Sequence, residues 1–437
     1  MEEQKKKVLW ICNIMLPAIA KELHMEYSNR EGWLSGIYEK ASKEEFPFEL
    51  GICFPVDHGD FAKVSKKPGA AFEKLELQNV TCYAFREKLK TPEIYDAELE
   101  CCFKEIFADF NPDMIHVFGT EFPHTLAAVK VFDDSQHTLI GIQGLCSEIA
   151  KCYRAGLPEK VWNKASFRDV LRKDSMRQQQ IKFQKRGQNE IEAIQKTGNI
   201  TGRTAFDKEK TEKINPAARY YAMNETMRTE FYDGKWEPEQ SEQYRIFLGQ
   251  GDYPLKGTHF LLKAMGILKQ KYPDLQLYVA GNSIIRQETA KDRLKLPAYG
   301  EYLLKLIKKY GLENHVHIAG RLSAQEMKEQ FMKCSVFVCP SVVENSPNTI
   351  GEAMLLGVPV VASEAGGIPS MVENGNTGLL FKNHSSEELA DAIASIWENP
   401  EMARELSAHE RVRASFVHDS NKNYDRLMEI YISILSQ

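Results

Sequence analysis

Short apolar runs alternate with stretches of helical spacing along almost the whole chain, and this alternation limits the fold more than any other feature. An apolar run between turn residues suits a strand buried on both faces, and strands separated by helices suit parallel sheets covered on both sides. In the first half the expected strands are Val8–Ile11, Phe48–Cys53, Val80–Tyr83, Met114–Val117, Leu139–Ile142 and Gly198–Thr201. The second half repeats the rhythm at Tyr244–Gly249, Leu275–Gly281, Val316–Gly320, Ser335–Pro340, Pro359–Ser363 and Gly378–Phe381. Two Rossmann-like α/β units follow. A chain of 437 residues also exceeds the size at which one core keeps growing. The stretch Phe231–Gln243 is polar, contains Gly and Pro and lacks an apolar period, so it is expected to be the linker. The domains are then expected over 1–232 and 244–416, with a last helix from Asn421 carrying Leu427, Ile430, Ile432 and Leu435 at helical spacing.

Composition excludes several classes. Apolar residues make up 43% and charged residues 27%, the balance of a soluble globular protein. A net charge of −5 gives no general attraction to nucleic acid or membranes, and no nucleic acid partner is expected. The N-terminus reads as a first strand and not as a signal peptide, and no segment approaches the length of a spanning helix. Nine cysteines, an odd count scattered through apparent strands and helices, suit reduced core thiols and a cytoplasmic location. Cys101, Cys102, Cys146 and Cys152 lack metal-site spacing, and no Asp-x-Asp occurs, so neither metal nor cofactor is expected. No Gly-x-Gly-x-x-Gly follows a strand, which counts against a nicotinamide dehydrogenase.

Open parallel sheets bind ligands beyond the carboxyl ends of their strands. There the chain places Lys256-Gly257, where a lysine can meet a diphosphate as a point charge, or stand as an exposed loop residue. Further on, Glu344-Asn-Ser-Pro-Asn-Thr-Ile-Gly-Glu352 leads from a strand into a helix. Both carboxylates can line one cleft there. Carboxylates accept hydrogen bonds from vicinal hydroxyls, and a helix N-terminus favours an anion, so the local reading is a nucleotide-sugar site. For each glutamate the plain alternative is a helix-capping acid. Asn345, Ser346, Asn348 and Thr349 offer backbone N–H groups at the same turn.

These blocks, with Tyr278–Gly281, Ile318–Arg321, Gly366–Pro369 and Glu373–Gly378 in the same order, resemble the signature of retaining glycosyltransferases of the GT4 type. The likeness is close over Tyr244–Phe381 and looser before it. It implies the GT-B fold, α/β with two Rossmann-like domains facing each other across a cleft, the last helix (420–437) crossing back to the first domain. It also implies a metal-independent hexosyltransferase-like enzyme moving a sugar from a nucleotide sugar, UDP- or GDP-linked, to an acceptor hydroxyl in polysaccharide or glycolipid assembly. By resemblance Glu344 and Lys256 are catalytic, Glu352 meets the ribose, and Gln250 stands where the family's arginine shares the phosphate. Arg321 lies beside the nucleobase or makes a surface salt bridge. Gly366–Pro369 is expected to pack under the donor site.

The first half would hold a glycan or lipid-linked acceptor. Gly32 follows Glu31 in place of a glycine-rich loop, or simply starts a helix. Phe118 stands where the family often has a histidine, and His116 reads as a core strand residue. Thr120, Glu121 and His124 are expected on a loop reaching acceptor or sugar, and Arg203 either binds an anionic acceptor or is structural. The basic segment 160–186, with Trp162, Phe167, Val170, Leu171, Ile181 and Phe183 interspersed, is a solvated helix face or a peripheral contact with the inner membrane face. Gln250 and Phe118 keep open a non-catalytic protein that binds nucleotide sugar or a partner, and a nucleotide-sugar epimerase shares the fold.

Overall fold

The computed structural model describes residues 5–25, 32–43, 46–67, 69–77 and 80–437. The chain divides into two units, one of Met1–Ala150, Lys182–Thr226 and Asp419–Gln437, the other of Lys151–Ile181 and Met227–His418. Residues 151–181 and 227–232, expected with the first unit, therefore cluster with the second.

The first unit holds an eight-stranded sheet of β1 (Lys7–Cys12), β2 (Glu49–Asp57), β3 (Phe72–Leu77), β4 (Val80–Glu87), β5 (Met114–Phe118), β6 (Thr138–Gly141), β7 (Asn199–Gly202) and β8 (Arg219–Ala222). Its order is β3-β4-β2-β1-β5-β6-β7-β8, with β3 antiparallel to β4. Alternation along β1 sends Val8, Trp10 and Cys12 into one core layer and Leu9 and Ile11 into the other. The helix Ser420–Leu435 adds Tyr424, Leu427, Ile430, Tyr431 and Ile434 to the first layer. Ile432, counted into its apolar stripe from spacing, points to solvent. The Tyr431 hydroxyl meets Nδ1 of His116 at 2.6 Å. His116 is a core strand residue, and burial pulls its pKa down to about 3.

In the second unit β9 (Arg245–Leu248), β10 (Gln276–Ala280), β11 (Val316–Gly320), β12 (Val336–Cys339), β13 (Val360–Ser363) and β14 (Leu379–Phe381) form one parallel sheet. The order β11-β10-β9-β12-β13-β14 reverses direction between β9 and β12. A crevice for a ligand opens at such a reversal, at the carboxyl ends of the two strands.

The expected linker is no free tether. Phe231 and Trp236 are buried, Phe231 packs edge-on against Phe331, and the Trp236 indole N–H donates to the Cys334 carbonyl at 2.8 Å. Two aromatic anchors without a period suffice to strap a polar segment onto the second unit. All nine cysteines are free thiols.

Glu410, on the helix Pro400–Val417, is fully buried. Its Oε1 accepts from the Val360 N–H at 3.0 Å, while Oε2 has no partner among the described residues. Burial raises its pKa well above 4.5, so the folded state keeps a proton that the unfolded chain releases. Stability is therefore expected to fall as pH rises past the ordinary carboxylate range, by up to about 1.4 kcal/mol per pH unit from this group. Glu410→Gln should remove that slope, which urea unfolding at about pH 5 and about pH 8 would measure.

Candidate functional site

The reversal between β9 and β12 brings Lys256 and Glu344 together. After β9 the chain makes a short turn at Pro254–Lys256, and Gly257 takes φ +69° before the helix Thr258–Leu268. A Cβ there would lie 1.8 Å from the Pro340 carbonyl oxygen, so only glycine lets this loop close onto the end of β12. That approach places Lys256 Nζ 2.6 Å from Glu344 Oε1, which also accepts from the Ser341 hydroxyl at 2.7 Å. Burial opposes the Lys256 charge, but the attraction of Glu344 outweighs it and holds the ammonium above its ordinary range.

Past Glu344 the helix Asn348–Leu356 begins without a side-chain cap; the Ile350 N–H donates to the Pro347 carbonyl at 3.0 Å, which leaves the Asn348 and Thr349 N–H groups to an anion. Asn345 is buried, the Ser346 hydroxyl lies 3.6 Å from the Met371 sulfur, and Asn348 Oδ1 is buried with no partner among the described residues. Thr349 packs beside Gly249.

Glu344 and Glu352 share no partner among the described residues. Glu352 is buried, and its Oε1 accepts from Arg228 Nε at 2.8 Å and Nη2 at 2.7 Å, while Oε2 has no partner among the described residues. Burial pushes its carboxyl up from the ordinary value against the pull of Arg228. Arg228 stands just before the strap, far from the motifs in sequence, and no spacing announced it.

A second set of contacts links the ends of β9, β10 and β11. Gln250 Nε2 donates to Asp252 Oδ1 at 3.0 Å, Asn282 Nδ2 to Asp252 Oδ2 at 2.9 Å, and Arg321 Nε to Asn282 Oδ1 at 2.9 Å. Two expected residues, Gln250 and Arg321, are thus joined through two that sequence reasoning missed. Arg321 makes this bond to a neutral amide, not a salt bridge to a helix. The turn Gly366–Pro369, expected beneath the site, packs against the Glu344 backbone: the Gly367 N–H donates to the Glu344 carbonyl at 2.8 Å.

The first unit has its own polar contact where its strand order reverses, between β1 and β5. Asn13 Nδ2 donates to Glu121 Oε2 at 2.8 Å, and the Glu121 carbonyl accepts from Arg186 Nε at 2.9 Å. Burial raises the Glu121 carboxyl. The Thr120 hydroxyl is buried 2.7 Å from Glu190 Oε2. Gly32 is the first residue of the helix Gly32–Lys43, and Glu31 lies outside the described residues.

Two expectations need correction. His124 sits in the first turn of the helix Pro123–Phe132, fully buried, with Nδ1 2.8 Å from Glu87 Oε2, because a carboxylate at the end of β4 supplies the partner that lets a histidine be buried. Arg203 is also interior, paired with buried Glu225 and bonded through Nη2 to the Ile142 carbonyl at 3.4 Å, which is its structural alternative.

Residues 229–413 match the family model described as Glycosyl transferases group 1. That stretch places the second unit among the group 1 glycosyl transferases. Among curated relatives, a D-inositol 3-phosphate glycosyltransferase of Pseudarthrobacter chlorophenolicus is 28% identical over 176 residues, 40% of this chain and 38% of that one. The alpha-D-kanosaminyltransferase of Streptomyces kanamyceticus is 24% identical over 50% of this chain and 55% of its own. These matches span between about a third and just over half of the relatives' length. Among solved structures, the sucrose-phosphate synthase of Thermosynechococcus elongatus superposes with TM-score 0.67 at 15% identity, covering 99% of this chain and all of the other. HepE of Anabaena, in complex with UDP, gives TM-score 0.65 at 15% identity over 98% and 100%. At such identities the likeness is one of fold, and that fold is GT-B.

Proposed function

We propose that the chain transfers a sugar from a nucleoside diphosphate sugar to an acceptor hydroxyl, with retention at the anomeric carbon. The observation that supports this best is the Lys256–Glu344 pair, set at the strand-order reversal beside an uncapped helix N-terminus. A cation and a dipole end offset the charge that develops on a departing diphosphate without a metal. Glu344, turned from Lys256 toward a sugar, accepts from its hydroxyls. Glu352, oriented by Arg228, keeps one oxygen for a ribose hydroxyl. A buried carboxylate oxygen without a donor costs about 1–3 kcal/mol, which a bound diol would recover. Gln250, Asp252, Asn282 and Arg321 form the rim at the base.

Among the described residues no protein nucleophile stands at this site, so the leaving phosphate is the group to take the acceptor proton in a front-face displacement. UDP-sugars are the first donors to try, because HepE was solved with UDP-glucose, and GDP-sugars the next. Glycans or lipid-linked sugars are the acceptor classes, with Thr120, Glu121 and Gly32 of the first unit as contacts, in polysaccharide or glycolipid assembly on the cytoplasmic side. The Arg228 hold on Glu352 and the missing arginine at Gln250 favour one second reading, a protein that binds the nucleotide sugar without transfer. Incubation with UDP-sugars and simple glycoside acceptors, read by proton NMR, separates the two. An α-linked product from an α-linked donor is expected; inversion overturns the mechanism, and donor binding without any product favours the second reading.

A further inference from the structure

The second unit carries an apolar surface on a rigid mount. In the short helix Phe167–Arg172 the side chains of Phe167, Val170 and Leu171 are 69%, 65% and 73% exposed. Their spacing places all three on one side of the helix. Asp169 faces the opposite side and is buried. Its Oδ2 accepts from the Ser166 N–H at 3.0 Å and from the Ala298 N–H at 2.9 Å, and the Ser166 hydroxyl caps the helix in return. Three large apolar groups are thus held in water by a buried carboxylate that fixes the helix beneath them. Such a cluster marks a contact surface more readily than a loose loop would.

The surrounding charge says what the surface meets. From Glu159 to Lys173 the sequence holds five cations against two acids, within a chain of net charge −5. Lys164 is engaged by Glu301, and Arg168 by Asp169 and Asp174. Lys160, Arg172 and Lys173 are exposed. A second copy docked on this face would set like charges against each other. An anionic bilayer gives the apolar side chains a hydrocarbon boundary and the cations their counter-charge. No described helix is long and apolar enough to cross a membrane, so the contact is peripheral. We infer that the helix Phe167–Arg172 docks the protein on an anionic lipid surface, with Phe167, Val170 and Leu171 at the acyl boundary and Lys160, Arg172 and Lys173 at the headgroups.

The test is co-sedimentation of the full chain with phosphatidylcholine vesicles containing about 30% phosphatidylglycerol, and with phosphatidylcholine alone. The wild type should pellet with the anionic vesicles and be released by salt. Phe167→Ser/Leu171→Ser should lower partitioning roughly tenfold or more, and Arg172→Glu/Lys173→Glu should lower it and remove the salt dependence. Unchanged melting curves would show that both variants fold. A wild type that stays in the supernatant overturns the inference, as does equal binding by the serine variant. Self-association in sedimentation velocity that the serine variant abolishes, without vesicle binding, would assign the face to a second copy. Nucleotide calorimetry on the same proteins reads the donor site separately, since none of these residues belongs to it.

Discussion

Lys256→Met is expected to lower transfer by about two to three orders of magnitude, the usual loss when one charge-stabilising donor is removed from a developing anion. The same change should cost stability. Lys256 and Glu344 side chains are 18% and 15% exposed, so Glu344 would be left largely buried without its cation, at a cost of roughly 3 kcal/mol. Lys256→Met/Glu344→Gln separates the two effects. Removing both charges should restore most of the melting temperature while leaving turnover lost. Recovery of turnover in the double variant would make the pair structural and remove Lys256 from the chemistry. Thermal melts and a coupled assay of nucleotide release on the wild type and both variants would show which holds.

Gly366→Ala is expected to damage the site without altering any polar group in it. Gly366 has φ +56°, and a Cβ would lie 2.0 Å from the Glu344 carbonyl oxygen. That oxygen is backbone, so no rotamer change relieves the clash, and the turn carrying Glu344 must move. A left-handed alanine alone costs about 1–2 kcal/mol, and with the displacement a loss of roughly 3 kcal/mol is expected. A shift of about 1 Å in a positioned group typically lowers kcat/KM on the order of a hundredfold. Gly375→Ala is the control. Its φ is +75° with nothing within 4 Å of a Cβ, so it should show the backbone cost and keep kcat/KM. Equal loss of kcat/KM in both variants would mean that Gly366 does not position Glu344.

The inner parallel strands were legible because burial on both faces writes continuous apolar runs, as in Met114–Phe118 and Val336–Cys339. The two strands not anticipated, β3 and β8, are the sheet's edges. There Phe72–Leu77 and Arg219–Ala222 mix charged and apolar residues because one side faces water. The strap was misread for a related reason: Phe231 and Trp236 anchor it singly, and a single anchor has no period.

At the site, Lys256 and Glu344 could be named from sequence because each follows a strand at the reversal of order. Arg228, Asp252, Asn282 and Ser341 could not, since side-chain contacts from separate loops leave no spacing to read. Burial misled the other way for His124 and Arg203. Each polar type suggested exposure, yet Glu87 and Glu225 stand opposite them in the fold and make their burial tolerable.

The proposed nucleotide site in the second unit is built around Lys256, Glu344 and Glu352. Calorimetric titration of the purified chain and of Glu352→Gln with UDP, GDP and ADP, without added metal, tests it most directly. One nucleotide should bind selectively, and the variant should bind it roughly tenfold or more weakly, because the ribose hydroxyls lose a charged acceptor. Absence of binding by all three, or identical affinity in the variant, would contradict the site as assigned.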